Sequence, residues 1–468
     1  MRDARSWAEE EFGEADLGDA RRTRRLVALA AGIAARPAGT VTRALRSSAE
    51  REGAFRFLEN AAIRSEAVAA ATIGATARRC TSLERVVVPV DATSLGITDE
   101  RDRKGLGLVG THHCGARGVH VTTALAVAPT GATLGLCAQT FWMRATSQKK
   151  RPSSPDGETS FWTKTMRAAS DALATHAPGC TPWFQVDRGG DCNLVLLDAL
   201  KNGALLTVRA QVDRNLDEDI KRLWPYMTSA KLVAKRKLKV SAGQPIRKRK
   251  YVRGARVATF HSRVPRTARL HVRAARVTIV LQAHWHERVA VELGAVFVTE
   301  HGYDGADALE WMLLTTHPID TRKDVLAVVE AYTLRWRIED FHRAWKRGLC
   351  RVEDTQLRSR DAIFKWATLL ATVATRAIRL AHLARTTPDA LAATEFTPLE
   401  LEAIVVLRQP RNQRADQPPT LLQVIRWVAE IGGHSGPWAG VPGATTIGRG
   451  LHDVLVTAKA FEYRDKKR

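Results

Sequence analysis

Six cysteines in 468 residues, none of them in a Cys-x-x-Cys pair, exclude a disulfide framework and a structural zinc site. They stand at 80, 114, 137, 180, 192 and 350 and read as reduced thiols. His112, His113 and Cys114 are adjacent, but without a second ligand pair nearby they make a poor metal site. No apolar run approaches the roughly 18 residues that a membrane span needs; the longest, Leu26 to Ala35, covers about ten. The opening stretch MRDARSWAEEEF is charged where a secretory signal would be apolar, so an intracellular protein is expected. There is no internal repeat.

A more local absence says more. From Ile220 to His286 the chain has no Asp or Glu, yet it carries 18 Lys or Arg, densest in KLVAKRKLKV (231–240) and IRKRKYVRGARV (246–257). These bases alternate with Val, Leu, Ile and Phe in strand-like patterns such as ARLHVRAARVTIVLQ, which predicts folded β-structure with one basic face rather than a solvated tail. The excess reaches the whole molecule: 72 Lys+Arg against 49 Asp+Glu gives a formal charge of +23. Uncompensated charge of that size calls for a polyanion, and the usual one for a soluble protein is nucleic acid. With 45% hydrophobic and 26% charged residues the chain is globular, and its length suggests about three domains.

Residues 1 to about 70 read as helical. Leu26, Leu29, Ala30 and Ile33 recur at helical spacing behind the cluster Arg21, Arg22, Arg24 and Arg25, and a further helix begins near Ser47-Ser48 with Phe55 and Leu58 on its apolar side. Arginines at a helix start suit a DNA-contacting module; a surface-charged helical cap is the alternative. RVVVPVD (85–91) is a buried strand, residues 118–142 read as two strands about a Pro-Thr-Gly turn, and 146–160 has loop composition. PWFQVD (182–187) is another buried strand, followed by a helix through Leu194, Leu197 and Leu200 and the strand ALLTVRA (204–210). The order predicts a ribonuclease-H-like α/β core with the basic β segment inserted after it. AVFVTE (295–300), WMLLTT (311–316) and a long helix from about Lys323 follow, and the rest is mostly helical. The expected domains are a helical module at 1–70, the core at 71–210 and 291–375, the insertion at 211–290, and a helical domain at 376–468.

Asp91 and Asp187 each close a buried strand, where functional groups gather in open α/β sheets; a lone strand-end Asp more often caps a turn. The third carboxylate lies in YTLRWRIEDFHRAWKRGL (332–349). Leu334, Ile338, Phe341, Trp345 and Leu349 form a core-facing stripe, while Tyr332, Arg335, Glu339, His342 and Lys346 form a second coherent face. Arg335 and Glu339 can be read as a simple i,i+4 ion pair. The same face also describes a surface that holds a divalent ion with its carboxylate and a phosphate with its cations and phenol. Phosphodiester cleavage needs an activated water and a stabilised leaving oxygen, and two magnesium ions about 4 Å apart provide both. Such hard cations need several oxygen ligands, hence three convergent carboxylates.

Tyr332, Arg335, Glu339 and Lys346 stand at the spacing of the Y-R-E-K signature, and the chain resembles the insertion-sequence-four family of DDE transposases. LGDARRTRRLV (17–27), EGAFRFLEN (52–60), VDATSL (90–95), QVDR (185–188) and EWMLLTT (310–316) extend the likeness; it is fainter in the β insertion and the last third. The resemblance implies that Asp91, Asp187 and Glu339 are the metal-binding triad, holding two Mg2+ ions per site with Mn2+ able to substitute. It implies that Tyr332, Arg335 and Lys346 contact transposon-end phosphates, and that Trp311 stacks a flipped-out base, although alone Trp311 reads as core. Arg21, Arg22, Arg25 and Arg209 fall at further DNA-contacting positions. The partners implied are double-stranded DNA, both terminal repeats and target, and a second copy of the chain on that DNA. Neither a membrane nor a small-molecule substrate is expected, and the location implied is the bacterial cytoplasm, at the nucleoid when DNA is bound. Gly189-Gly190 depart from the charged residues the family has after its second Asp. Two rivals remain: a metal-dependent endonuclease of the same core without strand transfer, and a non-catalytic domesticated DNA-binding regulator. The intact triad counts against the regulator, and Tyr332 with Lys346 at family spacing counts against the nuclease.

Overall fold

The computed structural model describes residues 4–110, 115–144, 157–216, 222–240, 246–252, 255–261, 264–284, 287–409, 417–436 and 442–465. The run His112 to Cys114 lies outside them. The elements in chain order are α1 (Ala4–Phe12), α2 (Ala20–Ala35), α3 (Val41–Ala44), α4 (Ser48–Leu58), α5 (Ser65–Arg78), β1 (Arg85–Gly96), β2 (Gly107–Leu108), β3 (Arg117–Val127), β4 (Thr133–Trp142) and α6 (Ser160–His176). Then come β5 (Thr181–Val186), α7 (Asn193–Lys201), β6 (Leu205–Arg209), α8 (Leu223–Ser229), β7 (Leu232–Val240), β8 (Ile246–Val252), β9 (Ala255–His261), β10 (Arg266–His284), β11 (Glu287–Glu300) and β12 (Glu310–Thr315). The chain ends with α9 (Arg322–Thr333), α10 (Arg337–Lys346), α11 (Arg360–Thr386), α12 (Pro398–Arg408), α13 (Leu421–Ile431) and α14 (Ala444–Asp465). They form two compact units, Met1–Pro182 with Leu334–Arg468, and Trp183–Thr333.

In the first unit β3 is the central strand, with β1 antiparallel on one side and β4 and the short β2 antiparallel on the other. α11 is the hub: it packs on β4, α5, α10 and α14. Its N-cap Ser359 accepts the Ala362 amide. Buried Lys365 donates to the carbonyls of Leu58 at 2.9 Å and Asn60 at 3.0 Å, which satisfies the open C-terminal end of α4. α4 itself starts with a reciprocal capping box between Ser47 and Glu50. It buries Ala54, Phe57 and Leu58, so the expected place of Phe55 on the apolar side is corrected: that ring is exposed, because Phe57 and not Phe55 shares a face with Ala54 and Leu58. The boundaries expected at 70 and 375 fall inside α5 and α11, and the one at 290 inside β11.

The second unit holds the sheet β5-β6-β12-β11-β10-β7, parallel between β5 and β6 and antiparallel elsewhere, and the separate hairpin β8-β9. The described part of the basic segment after α8 is β-structure, as its alternation indicated. α6 is the helix that the ribonuclease-H-like order requires between β4 and β5. Trp162, Met166, Ala169 and Leu173, all buried, repeat at four, three and four, which was the available signal. The long helix expected from Lys323 is broken by a 3-10 turn at Leu334–Trp336, which separates α9 from α10. The described cysteines are free, and among the described residues no helix is long and apolar enough to cross a membrane.

One buried histidine sets a pH dependence. His382 on α11 has Nδ1 2.9 Å from Thr133 Oγ1 and Nε2 3.4 Å from Asp340 Oδ2, and burial pushes its pKa down to about 4 despite the Asp340 hydrogen bond. The folded chain therefore keeps it neutral at a pH where the unfolded chain protonates it. Stability is full above the unfolded value near 6.5 and falls by at most about 1.4 kcal/mol per pH unit between there and about pH 4. Urea denaturation across that window is expected to show this contribution together with that of the likewise depressed His342, and His382→Asn to lower the slope by up to about 1.4 kcal/mol per pH unit.

Candidate active site

β1 carries the first part of the site. Its residues are buried from Val86 to Val90 and half-buried from Asp91 to Ser94, while pairing to β3 continues to Gly96 opposite Gly118. This corrects the expectation that Asp91 ends a strand. Burial changes at residue 91 and hydrogen bonding does not, and an apolar run reports only burial. Asp91 pairs with Thr123, and its Oδ1 accepts the Ala92 amide at 2.8 Å. Asp91 and Thr93 share a face of the strand because successive side chains alternate.

α10 packs on β1. Ile338, Phe341 and Trp345 are fully buried, and the Trp345 indole donates to the Ala367 carbonyl at 3.0 Å, which fixes the roll of the helix. The other face then meets β1. His342 Nδ1 lies 3.8 Å from Asp91 Oδ2. Lys346, one turn on, donates from Nζ to the Ser94 carbonyl at 2.5 Å and to Thr93 Oγ1 at 3.2 Å. Glu339 lies one turn before His342 on the same face. Its Oε1 is 3.4 Å from both Nη1 and Nη2 of the buried Arg335, which leaves Oε2 outside that pair. Two segments far apart in the chain are thereby held against each other through His342 beside Asp91 and Lys346 on Thr93 and Ser94, while Arg335 and Glu339 pair with each other.

Electrostatics sharpen this arrangement. His342 is 9% exposed, and burial first, then the neighbouring Lys346 and Arg335, push its pKa down to about 3. A neutral imidazole next to Asp91 leaves the carboxylate charge uncompensated from that side. Glu353 was not legible in advance: it bonds the Gly96 amide at 2.9 Å and sits 3.6 Å from Lys346 Nζ, and nothing in its local pattern marks it. Thr93 and Ser94 were legible only as part of VDATSL.

Other expected residues are placed separately. Asp187, in the second unit, follows β5 and accepts the Gly189 amide at 2.8 Å, so it caps the 3-10 turn Arg188–Gly190. Trp311 is 5% exposed and meets Tyr332, 2% exposed, edge to face at a centroid distance of 5.5 Å. As placed, both rings belong to the core, and stacking of a base on Trp311 requires that ring to be uncovered. Arg209 donates from Nη2 to the Glu310 carbonyl at 2.7 Å. In the helical module, Asp19 caps α2 by accepting the Arg21 amide at 2.8 Å, and that bond holds the Asp19 carboxyl below the usual range. Arg21 is paired with Asp19 at 3.3 Å, Arg22 donates to the Leu17 carbonyl at 2.9 Å, and Arg25 is exposed over Gly53, where a Cβ would come within 2.9 Å of its guanidinium. Arginines at a positive helix end cost stability, so their concentration there suits an anionic partner.

Residues 4–63 match the family described as Transposase DNA-binding, and residues 186–376 match the family described as Transposase DDE domain. The chain carries the two domains of a DNA transposase. Arg21, Arg22 and Arg25 fall in the first match; Asp187, Arg209, Trp311, Tyr332, Arg335, Glu339 and Lys346 fall in the second, and Asp91 precedes it. The fold is therefore the ribonuclease-H-like α/β class, the protein is a nuclease and transposase by domain content, and it binds DNA.

DDE domains in general depend on a divalent metal. The donor chemistry here fits one: Asp91 and Glu339 are hard oxygen donors, and Glu339 keeps one oxygen outside its ion pair. Among the described residues no three His, Cys, Asp or Glu side chains are already grouped to hold a metal ion.

Proposed function

We propose that this protein is a cut-and-paste DNA transposase of the insertion-sequence-four type, with Asp91, Asp187 and Glu339 as its metal-binding triad and two Mg2+ ions, replaceable by Mn2+, as cofactors. The observation that carries the reading is α10 standing against β1, with His342 beside Asp91, Lys346 bonded to Thr93 and Ser94, and Glu339 one turn before His342 on the same helix.

The arginines of α2 bind the terminal repeat of the element, and two copies of the chain pair the two ends, each site acting on the end held mainly by its partner. Lys346 and Arg335 hold phosphates of the end, while Thr93 and the Ser94 carbonyl fix the direction of the Lys346 ammonium. Tyr332 adds its hydroxyl and Trp311 its ring once the DNA has opened their packing; Arg209 extends the contact. Neutral His342 fills the space beside Asp91 without taking its charge. The divalent ions, when bound, supply a water of lowered pKa and neutralise charge at the reacting phosphate. Nicking, hairpin formation, hairpin opening and strand transfer are all phosphoryl transfers, so one triad serves all four.

Incubation of the protein with Mg2+ and a duplex bearing the terminal repeats of its element, flanked by unrelated DNA, tests this. Hairpin-ended flank-free product on denaturing gels is the expected result. Cleavage with open ends and no strand transfer would replace the reading with a plain endonuclease.

A further inference from the structure

Among the described residues, the second unit has a row of like charges with no carboxylate beside it. On β7 the exposed Lys235, Lys237 and Lys239 point to one face, and the register with β10 sets Lys239 opposite Thr267, Lys237 opposite Arg269 and Lys235 opposite His271. Residues directly opposite across antiparallel strands have Cβ atoms about 4.5–5.5 Å apart, and like charges so placed destabilise a sheet. The row extends through His271, whose ring stacks on His301 with centroids 4.1 Å apart. His271 itself is held below its ordinary pKa, by desolvation first and then by His301, Lys235 and Arg273.

The same strands hold an internal comparison. Arg236, between the lysines but on the opposite face, pairs with Glu330. Arg266 is clasped by Glu300 at 2.7 Å and Asp307 at 2.8 Å, and Arg276 by Glu292 at 2.7 Å and Asp320 at 2.6 Å. Among the described residues, none of Lys235, Lys237, Lys239 and Arg269 has a carboxylate within 4.0 Å. Arg236, Arg266 and Arg276 are neutralised from within, whereas this row has no described carboxylate beside it and repels itself until a counter-charge is supplied.

We propose that the face built by Lys235, Lys237, Lys239 and Arg269 is a docking track for duplex DNA held by its phosphates without regard to sequence, the class of DNA that an element must enter. The inference rests on the transposase reading and adds a second DNA surface to that of α2. Alternate residues of a strand are about 6.8 Å apart, so the three lysines draw a straight line of charge about 14 Å long, fitted to a linear polyanion. Lysine is a compact point charge on a flexible stem, suited to a phosphate, and phosphate contacts position a protein on duplex DNA without reading its sequence.

The test uses the full chain and a fluorescent duplex of unrelated sequence, titrated from low to high salt. The slope of log affinity against log salt is expected to fall by roughly 2.7 in the combined variant Lys235→Ala, Lys237→Ala, Lys239→Ala, at about 0.9 per phosphate contact. Arg276→Ala, whose cation is already paired, is expected to leave the slope at the wild-type value. The single variant Lys237→Gln, with an expected fall of about 0.9, replaces the triple variant if that one does not fold. An unchanged slope, or an equal fall for Arg276→Ala, would overturn the proposal. The same proteins are assayed for preference of terminal-repeat over unrelated duplex and for Mg2+-dependent end cleavage. The triple variant is expected to keep the preference; its loss would overturn sequence-independent docking. Absence of end cleavage in the wild type would instead remove the transposase reading, which the salt slope does not measure.

Discussion

Asp91→Asn and Glu339→Gln are each expected to lower end cleavage by about 10³-fold or more while leaving end binding within a few-fold of wild type. Metal-assisted phosphoryl transfer draws several kcal/mol of transition-state stabilisation from the ions its carboxylates hold, and each 1.36 kcal/mol is a factor of ten in rate. Both substitutions keep shape. In Asp91→Asn the new amide oxygen can still accept the Ala92 amide that Asp91 Oδ1 accepts at 2.8 Å, so β1 keeps its local bonding. Glu339→Gln weakens only a long contact to Arg335, at 3.4 Å. The arginines of α2 belong to the separately matched DNA-binding domain, so recognition does not depend on either acid. A labelled terminal-repeat duplex reports both quantities, by gel shift without metal and by product formation with Mg2+. Cleavage at wild-type rate in either variant would exclude that residue from the site.

Much of this constellation was readable from spacing because it lies on one helix. Ile338, Phe341 and Trp345 declare the buried face of α10, and the residues between them then have only one surface to meet. What spacing could not supply was the partner surface. That His342 approaches Asp91 and Lys346 reaches Ser94 depends on tertiary packing, and Glu353 enters only because the chain turns back beside Gly96. The 3-10 turn at Leu334–Trp336 has no Gly or Pro to announce it, so the periodicity ran straight through it. Alternation in the basic segment was a sound guide to strands, since period two survives whatever the partner strand is. It gave no hint of which strands pair, or that Arg236 has Glu330 while the lysines beside it have no carboxylate among the described residues. Trp311 is buried by the neighbours of β12, so its place at the start of a strand reports core and says nothing of a role on DNA.

Asp191→Ala is expected to destabilise the second unit by about 3–5 kcal/mol, the cost of breaking a buried pair and leaving its cation behind. The Asp191 side chain is fully buried and that of Arg214 is 6% exposed, with 2.6 Å between Asp191 Oδ1 and Arg214 Nη2. Oδ2 accepts the Gln211 amide at 2.6 Å, the Val212 amide at 3.0 Å and Arg214 Nη1 at 3.0 Å. One carboxylate thus ties the end of the turn that Asp187 begins to the segment that follows β6. The acid after the Gly189-Gly190 pair, without a reading from sequence, is by this geometry a brace for the turn. Removal of both charges separates the contributions. Asp191→Ala with Arg214→Met eliminates the stranded cation and is expected to recover only the part of the loss that the cation causes. The two orphaned amides remain, at about 1–3 kcal/mol each for a buried unsatisfied group. Urea denaturation monitored by hydrogen exchange at the Gln211 and Val212 amides reads this directly: fast exchange in the single variant, partial protection in the double. Equal instability of single and double variants would mean that the carboxylate acts through the amides alone, and that Arg214 is a bystander to the turn bearing Asp187.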